Sequence, residues 1–123
     1  MLINLSNHPS KVWSKKQIDI AEKEFTRVID IDFPNINPEW DTQEVKKLVA
    51  QYHEKINETL KQNFKNKEQN AVHVMGEHTF IFHLVKSLKS SGIICVASTT
   101  KRIVEEKEGK KIVQFSFVKF REY

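Results

Sequence analysis

The chain has 123 residues, with 20 Lys and Arg against 16 Asp and Glu and a formal net charge of +4. That length holds one domain, over 1–123, with no room for a second core. A composition 39% hydrophobic and 29% charged excludes a disordered tail or a fibrous repeat, and no apolar run approaches the roughly 18 residues of a membrane span.

The opening Met1-Leu2-Ile3-Asn4-Leu5 lacks the basic region and small-residue cleavage site of a secretory signal. The single cysteine, Cys95, cannot close an internal disulfide. A reducing cytoplasm is the expected compartment. The net positive charge permits a polyanionic partner but does not demand one, and a solvated basic surface is the readier account of it.

Leu2 to Leu5 reads as a strand that ends at Asn7-His8-Pro9-Ser10, because Pro9 has no N–H for a ladder. Ser14 caps a helix over roughly 15–25, with Ile18, Ala21 and Phe25 at helical spacing. Val28 to Phe33 alternates as a strand, and Pro34 and Pro38 close it. Asp41 and Glu44 form the capping box of a long amphipathic helix whose apolar period runs from Val45 to Phe64. His53 falls on its solvent side.

Ala71 to Met75 reads as a buried strand, with His73 as a core or interface residue and Gly76 as its end. A third helix carries Phe80, Ile81, Leu84, Val85 and Leu88, and Gly92 terminates it. Ile93 to Ala97 is a fourth, buried parallel strand. After the polar segment Ser98-Thr99-Thr100-Lys101-Arg102 comes a hairpin of Ile103-Val104 and Lys111 to Phe120, with Gly109 in its turn. The apolar phase shifts from Phe117 to Val118 and Phe120, which predicts a bulge near 117–118.

Strands alternating with helices predict an α/β, Rossmann-like three-layer sandwich. Its sheet is mostly parallel, in the order 2-1-3-4, with the antiparallel C-terminal hairpin extending one edge. Ligands of such sheets bind where the strand order reverses. That point gathers Asn7 to Ser10, Gly76 to Thr79 and Ser98 to Arg102, segments rich in hydroxyls, amides, imidazoles and cations that suit phosphate and nucleotide recognition.

Each residue also has a purely structural reading. Asn7 and Ser10 serve a turn and a cap as readily as a ligand. Gly76 belongs to no GxGxxG fingerprint or P-loop. Lys101 and Arg102 are the sharper ligand candidates. His8 and His78 are candidate acids or bases. The histidine spacing gives no metal site, and a lone cysteine argues against structural zinc. Trp13 either stacks on a base or caps the core. Cys95 reads as a small buried hydrophobe.

The strings Leu2 to Ser10, Val72 to Phe80, Cys95 to Arg102 and Phe117 to Tyr123 resemble small stand-alone proteins of type III CRISPR systems, similar to the CARF (CRISPR-associated Rossmann fold) domains. The resemblance runs the whole chain. It implies binding of cyclic oligoadenylate, such as cyclic tetra-adenylate, and cleavage as in the ring nucleases. In that reaction a ribose 2′-hydroxyl attacks its adjacent phosphorus, leaving a 2′,3′-cyclic phosphate, with neither metal nor cofactor.

By position, the resemblance places Gly76, Glu77 and Thr79 against phosphates or riboses. Ser98, Thr99 and Thr100 would act as donors, Lys101 or Arg102 would offset developing charge, and His8 or His78 would carry the proton. The two-fold symmetry of a tetra-adenylate ring implies a homodimer, with Phe115, Phe117 and Phe120 either in its interface or in the core. The alternatives are a non-catalytic sponge or sensor of the ring, and a small enzyme acting on a nucleotide or nucleoside. Long nucleic acid and membrane are not expected partners, because the cations are interspersed with acidic residues and make no stripe.

Overall fold

In a computed structural model describing residues 1–123, five strands form one sheet in the order β2-β1-β3-β4-β5. The central strand β1 (Leu2–Ser6) pairs in parallel with β2 (Val28–Asp30) and with β3 (Ala71–Met75). Further out, β4 (Cys95–Lys107) runs parallel to β3, and β5 (Lys110–Glu122) closes the edge antiparallel to β4. The expected class and central strand order hold.

The helices divide between the two faces. Helix α1 (Lys15–Phe25) lies over one face, while α2 (Thr42–Gln62) and α3 (His78–Ser90) pack together over the other. Right-handed crossovers impose this division, since the chain steps one way from β1 to β2 and the other way from β2 to β3. Alternation along the strands splits the core accordingly. Leu2, Ala71 and Val96 meet Ala21 and Phe25 of α1, whereas Ile3, Leu5, Val72, Val74 and Cys95 meet Val45, Val49, Phe80 and Leu84.

Local chemistry sets the helix ends as expected. Ser14 accepts from the Gln17 N–H, and Asp41 with Glu44 completes a reciprocal capping box. Helix α2 stops at Gln62, so Phe64 is not part of the apolar stripe and is exposed. His53 is half-buried rather than solvated: its ring bridges Ser87 Oγ at 2.6 Å and Ser91 Oγ at 3.3 Å, tying α2 to α3.

Three differences from the sequence reading bear on the site. The polar segment Ser98 to Arg102 is strand, not loop, so the fourth strand and the first hairpin arm are one continuous strand of 13 residues. β4 pairs with β3 only at Cys95 and Val96, but with β5 from Val96 to Lys107. A strand held by one neighbour and wet on both faces carries no apolar alternation, which is why its sequence resembles a loop.

The second strand is also shorter than expected, ending at Asp30 rather than Phe33. Phe33 instead turns onto Phe80, ring to ring at 5.5 Å. The third difference extends the expected bulge. Thr99 pairs with Lys119 and Thr100 with Phe117, so Val118 is the extra residue. This insertion returns both Phe117 and Phe120 to the α1 face, where both are buried, while Phe115 is 68% exposed. At the hairpin tip Glu108 and Gly109 have φ of 55° and 73°, the paired left-handed geometry of a two-residue turn. No helix is long and apolar enough to cross a membrane.

Candidate functional site

Helix α1 covers only part of its face of the sheet. Beside it, at the carboxyl ends of β1 and β3 where the strand order reverses, lies an open cleft of about 790 Å³. That is within the roughly 300–1,000 Å³ of small-ligand sites. Its polar lining includes Ser6, His8, Lys16, Gln17, Ser98 and Thr100, and Trp13, Met75 and Phe115 supply apolar surface. The projecting β4–β5 hairpin forms one wall.

A row of polar side chains crosses four strands beneath the cleft, reaching its floor at Ser6, His73 and Ser98, while Asn4 and Asp30 border a neighbouring depression. The Asn4 amide donates to Asp30 Oδ1 at 2.7 Å and to the His8 carbonyl at 2.9 Å. Asn4 Oδ1 lies 2.8 Å from His73 Nδ1, and His73 Nε2 lies 2.8 Å from Ser98 Oγ. Gln17 of α1 donates to the same Ser98 oxygen at 3.2 Å. Ser6 adds a hydroxyl 2.8 Å from Asn4 Oδ1. Asn4, Ser6 and His73 are all buried, so each hydrogen bond replaces one that water cannot supply.

Burial, together with the nearby charge of His8, lowers the pKa of His73 from 6.5 to about 4. The ring is neutral at neutral pH. At the far end of the row, partial burial opposes the charge of Asp30. Hydrogen bonds from the Ser10 hydroxyl, the Asn4 amide and the Ser10 N–H outweigh it and hold the carboxyl below its ordinary value.

Of the residues expected at a site, His8, Ser98 and Thr100 come together in this cleft. Arg102 follows Ser98 and Thr100 on the same face of β4, whereas Thr99 and Lys101 alternate to the other. Thr99 is engaged by the bulge, donating to the Lys119 carbonyl and accepting from the Lys119 N–H. Ser10 is tied to Asp30 through its N–H at 3.0 Å and its hydroxyl at 2.7 Å. Trp13 borders the cleft as a cap on the core, donating to the His8 carbonyl at 2.9 Å with its ring edge-on to His73 at 5.3 Å.

Asn7, Gly76, Glu77 and His78 gather instead in a separate shallow depression beside Phe33 and Ile36. Gly76 is needed there for room, because a Cβ would overlap the Phe33 ring. Glu77 caps α3, accepting from the Thr79 and Phe80 N–H groups, and Thr79 donates its hydroxyl back to Glu77. Burial opposes the charge of Glu77, but these hydrogen bonds hold its carboxyl below the ordinary value. No three His, Cys, Asp or Glu side chains converge in a geometry that would hold a metal ion.

Asn4, Ser6, His73, Lys16 and Gln17 were missed as site residues by sequence reasoning. Asn4, Ser6 and His73 sit at alternate positions of buried strands, where three polar residues among aliphatic neighbours are the one available signal. No curated protein and no solved structure matches the chain. Residues 1–121 match a family described as Uncharacterized protein MJ1673 family, and the chain belongs to that family.

Proposed function

We propose that the cleft binds a cyclic oligoadenylate, such as cyclic tetra-adenylate, and that the protein acts as a CARF-like ring nuclease. The observation that carries this reading is the cleft's place and lining. It lies at the reversal of strand order, with hydroxyls, an amide and an imidazole on its floor, a cation at Lys16, and the exposed ring of Phe115 on its wall; Arg102 lies beyond Thr100 on the same face of β4. Exposed aromatic surface stacks on bases without sequence preference, and nearby cations answer phosphate charge.

In the proposed reaction a ribose 2′-oxygen attacks its adjacent phosphorus while the P–O5′ bond breaks. The 2′-hydroxyl proton is taken up and a proton is delivered to the departing 5′-oxygen, so no water is consumed. His8 is the cleft imidazole for this transfer, and His78 lies outside the cleft. The rest of catalysis is alignment and charge stabilisation. One protomer offers an open wall, and a C2 partner would close the ring from the other side.

The test is incubation of the protein with labelled cyclic tetra- and hexa-adenylate in EDTA, with chromatography of products and a parallel gel shift. Linear products ending in a 2′,3′-cyclic phosphate are expected. A shifted but intact ring would identify a sponge or sensor. Turnover of a linear nucleotide, with no affinity for either ring, would replace this reading with a small nucleotide-acting enzyme.

A further inference from the structure

The buried polar row has a direction, and Asp30 sets it. A carboxylate accepts and cannot donate. The Asn4 atom that meets Asp30 Oδ1 and the His8 carbonyl is therefore the amide nitrogen, because the flipped amide would set oxygen against oxygen at both contacts. Asn4 then presents Oδ1 to His73, so His73 Nδ1 carries the proton and Nε2 is bare. The single Ser98 hydroxyl proton is consequently donated to Nε2. Gln17 occupies one lone pair of Ser98 Oγ, which leaves one acceptor position on an oxygen that lines the cleft.

We propose that Ser98 recognises a ligand through an accepted hydrogen bond, and so selects a sugar hydroxyl rather than a phosphate. Sequence position alone suggests the opposite polarity, a serine that donates to phosphate. Phosphate oxygens only accept, and an acceptor facing an acceptor repels. Phosphate contacts fall instead to Lys16 and Thr100 in the cleft and to Arg102 just beyond it on the same face of β4. The inference deepens the adenylate reading and rests on it for the identity of the sugar.

Two measurements test it. The first is the ¹⁵N spectrum of the histidines in the unliganded protein at neutral pH. His73 is expected as the Nδ1–H tautomer, with an unprotonated Nε2. A protonated Nε2 would reverse the row and overturn the proposal, whatever the cleft binds.

The second compares cyclic tetra-adenylates carrying 2′-amino or 2′-fluoro groups, one a donor and the other an acceptor only. The amino ring is expected to bind about tenfold more tightly, the step set by roughly one neutral hydrogen bond. Ser98→Ala should erase that difference. If this variant does not fold, the two rings on the unaltered protein still decide. Equal affinity for both overturns the proposal and leaves the adenylate reading standing. Binding of neither overturns the adenylate reading alone, and the His73 tautomer then decides the proposal.

Discussion

Asn4 and Asp30 lie 26 residues apart in sequence and 2.7 Å apart in space, and this bond orients every polar group between β2 and β4. Asn4 is 1% exposed, whereas Asp30 is exposed and borders an open depression with it, so water entering there would replace only part of what Asp30 supplies. Asp30→Ala is therefore expected to cost about 1–2 kcal/mol, the loss of a hydrogen bond to a charged acceptor partly offset by water. Urea unfolding would measure it. A shift of a few tenths would mean that Asn4 finds another acceptor.

The buried neutral His73 makes stability depend on pH. Its pKa is about 4 in the folded protein against 6.5 as the ordinary value. Above pH 6.5 the ring is neutral in both states and contributes no pH dependence. As pH falls from 6.5 toward 4 only the unfolded chain takes up the proton, so stability is lost over that window, by about 3 kcal/mol at most. Carboxylates add their own loss at lower pH. The urea midpoint should therefore already fall between pH 6.5 and 5, and a flat profile there would contradict the buried state of His73.

Gly76 and Phe33 occupy space that a methyl group cannot share. Gly76→Ala should displace the Phe33 ring from Phe80 and cost about 1–3 kcal/mol. Phe33→Leu in the same chain should recover part of the loss, because the two sites are coupled. Thermal unfolding of the two single variants and the double variant gives the coupling directly. Strict additivity would place the cost of Gly76→Ala in the backbone instead.

Lys101 and Arg102 are neighbours in sequence on opposite faces of β4, and Arg102 shares its face with Ser98 and Thr100. Arg102→Ala should weaken binding of cyclic tetra-adenylate about tenfold, with less effect at high salt, where screening weakens the contact in the unaltered protein as well. Lys101→Ala should change affinity little. Neither change should shift stability by more than about 0.5 kcal/mol. Affinity measured in two salt concentrations decides this, and the reverse ranking would put the ring on the other face of the hairpin.

Cys95 is fully buried, and burial pushes its thiol up to about 11. Little thiolate exists at neutral pH. Iodoacetamide should leave the native protein unmodified over hours and label it once urea unfolds it, as read by mass spectrometry. Rapid native labelling would show that the β3–β4 edge opens.

The alternation of Leu2-Ile3-Asn4-Leu5, the capping box of Asp41 and Glu44, and the phase shift at Val118 were legible because each rests on contacts within a few residues. From these came the class of the fold, the central strand order and the bulge. The continuous strand β4 was not legible, because Ser98 to Arg102 is held by β5, in pairs that run from Ser98 with Phe120 to Arg102 with Phe115, well beyond the reach of local spacing, and has no buried face to pattern it. The candidate site divided the same way. Sequence pointed to His8, Ser98 and Thr100 as polar residues near strand ends. Only the parallel register of β1 with β3, which sets Asn4 beside His73, and of β3 with β4, which sets His73 beside Val96 and within reach of Ser98, joined residues up to 69 positions apart. Local spacing decides which groups a chain carries. The pairing of distant strands decides which of them touch, and so which way their protons point.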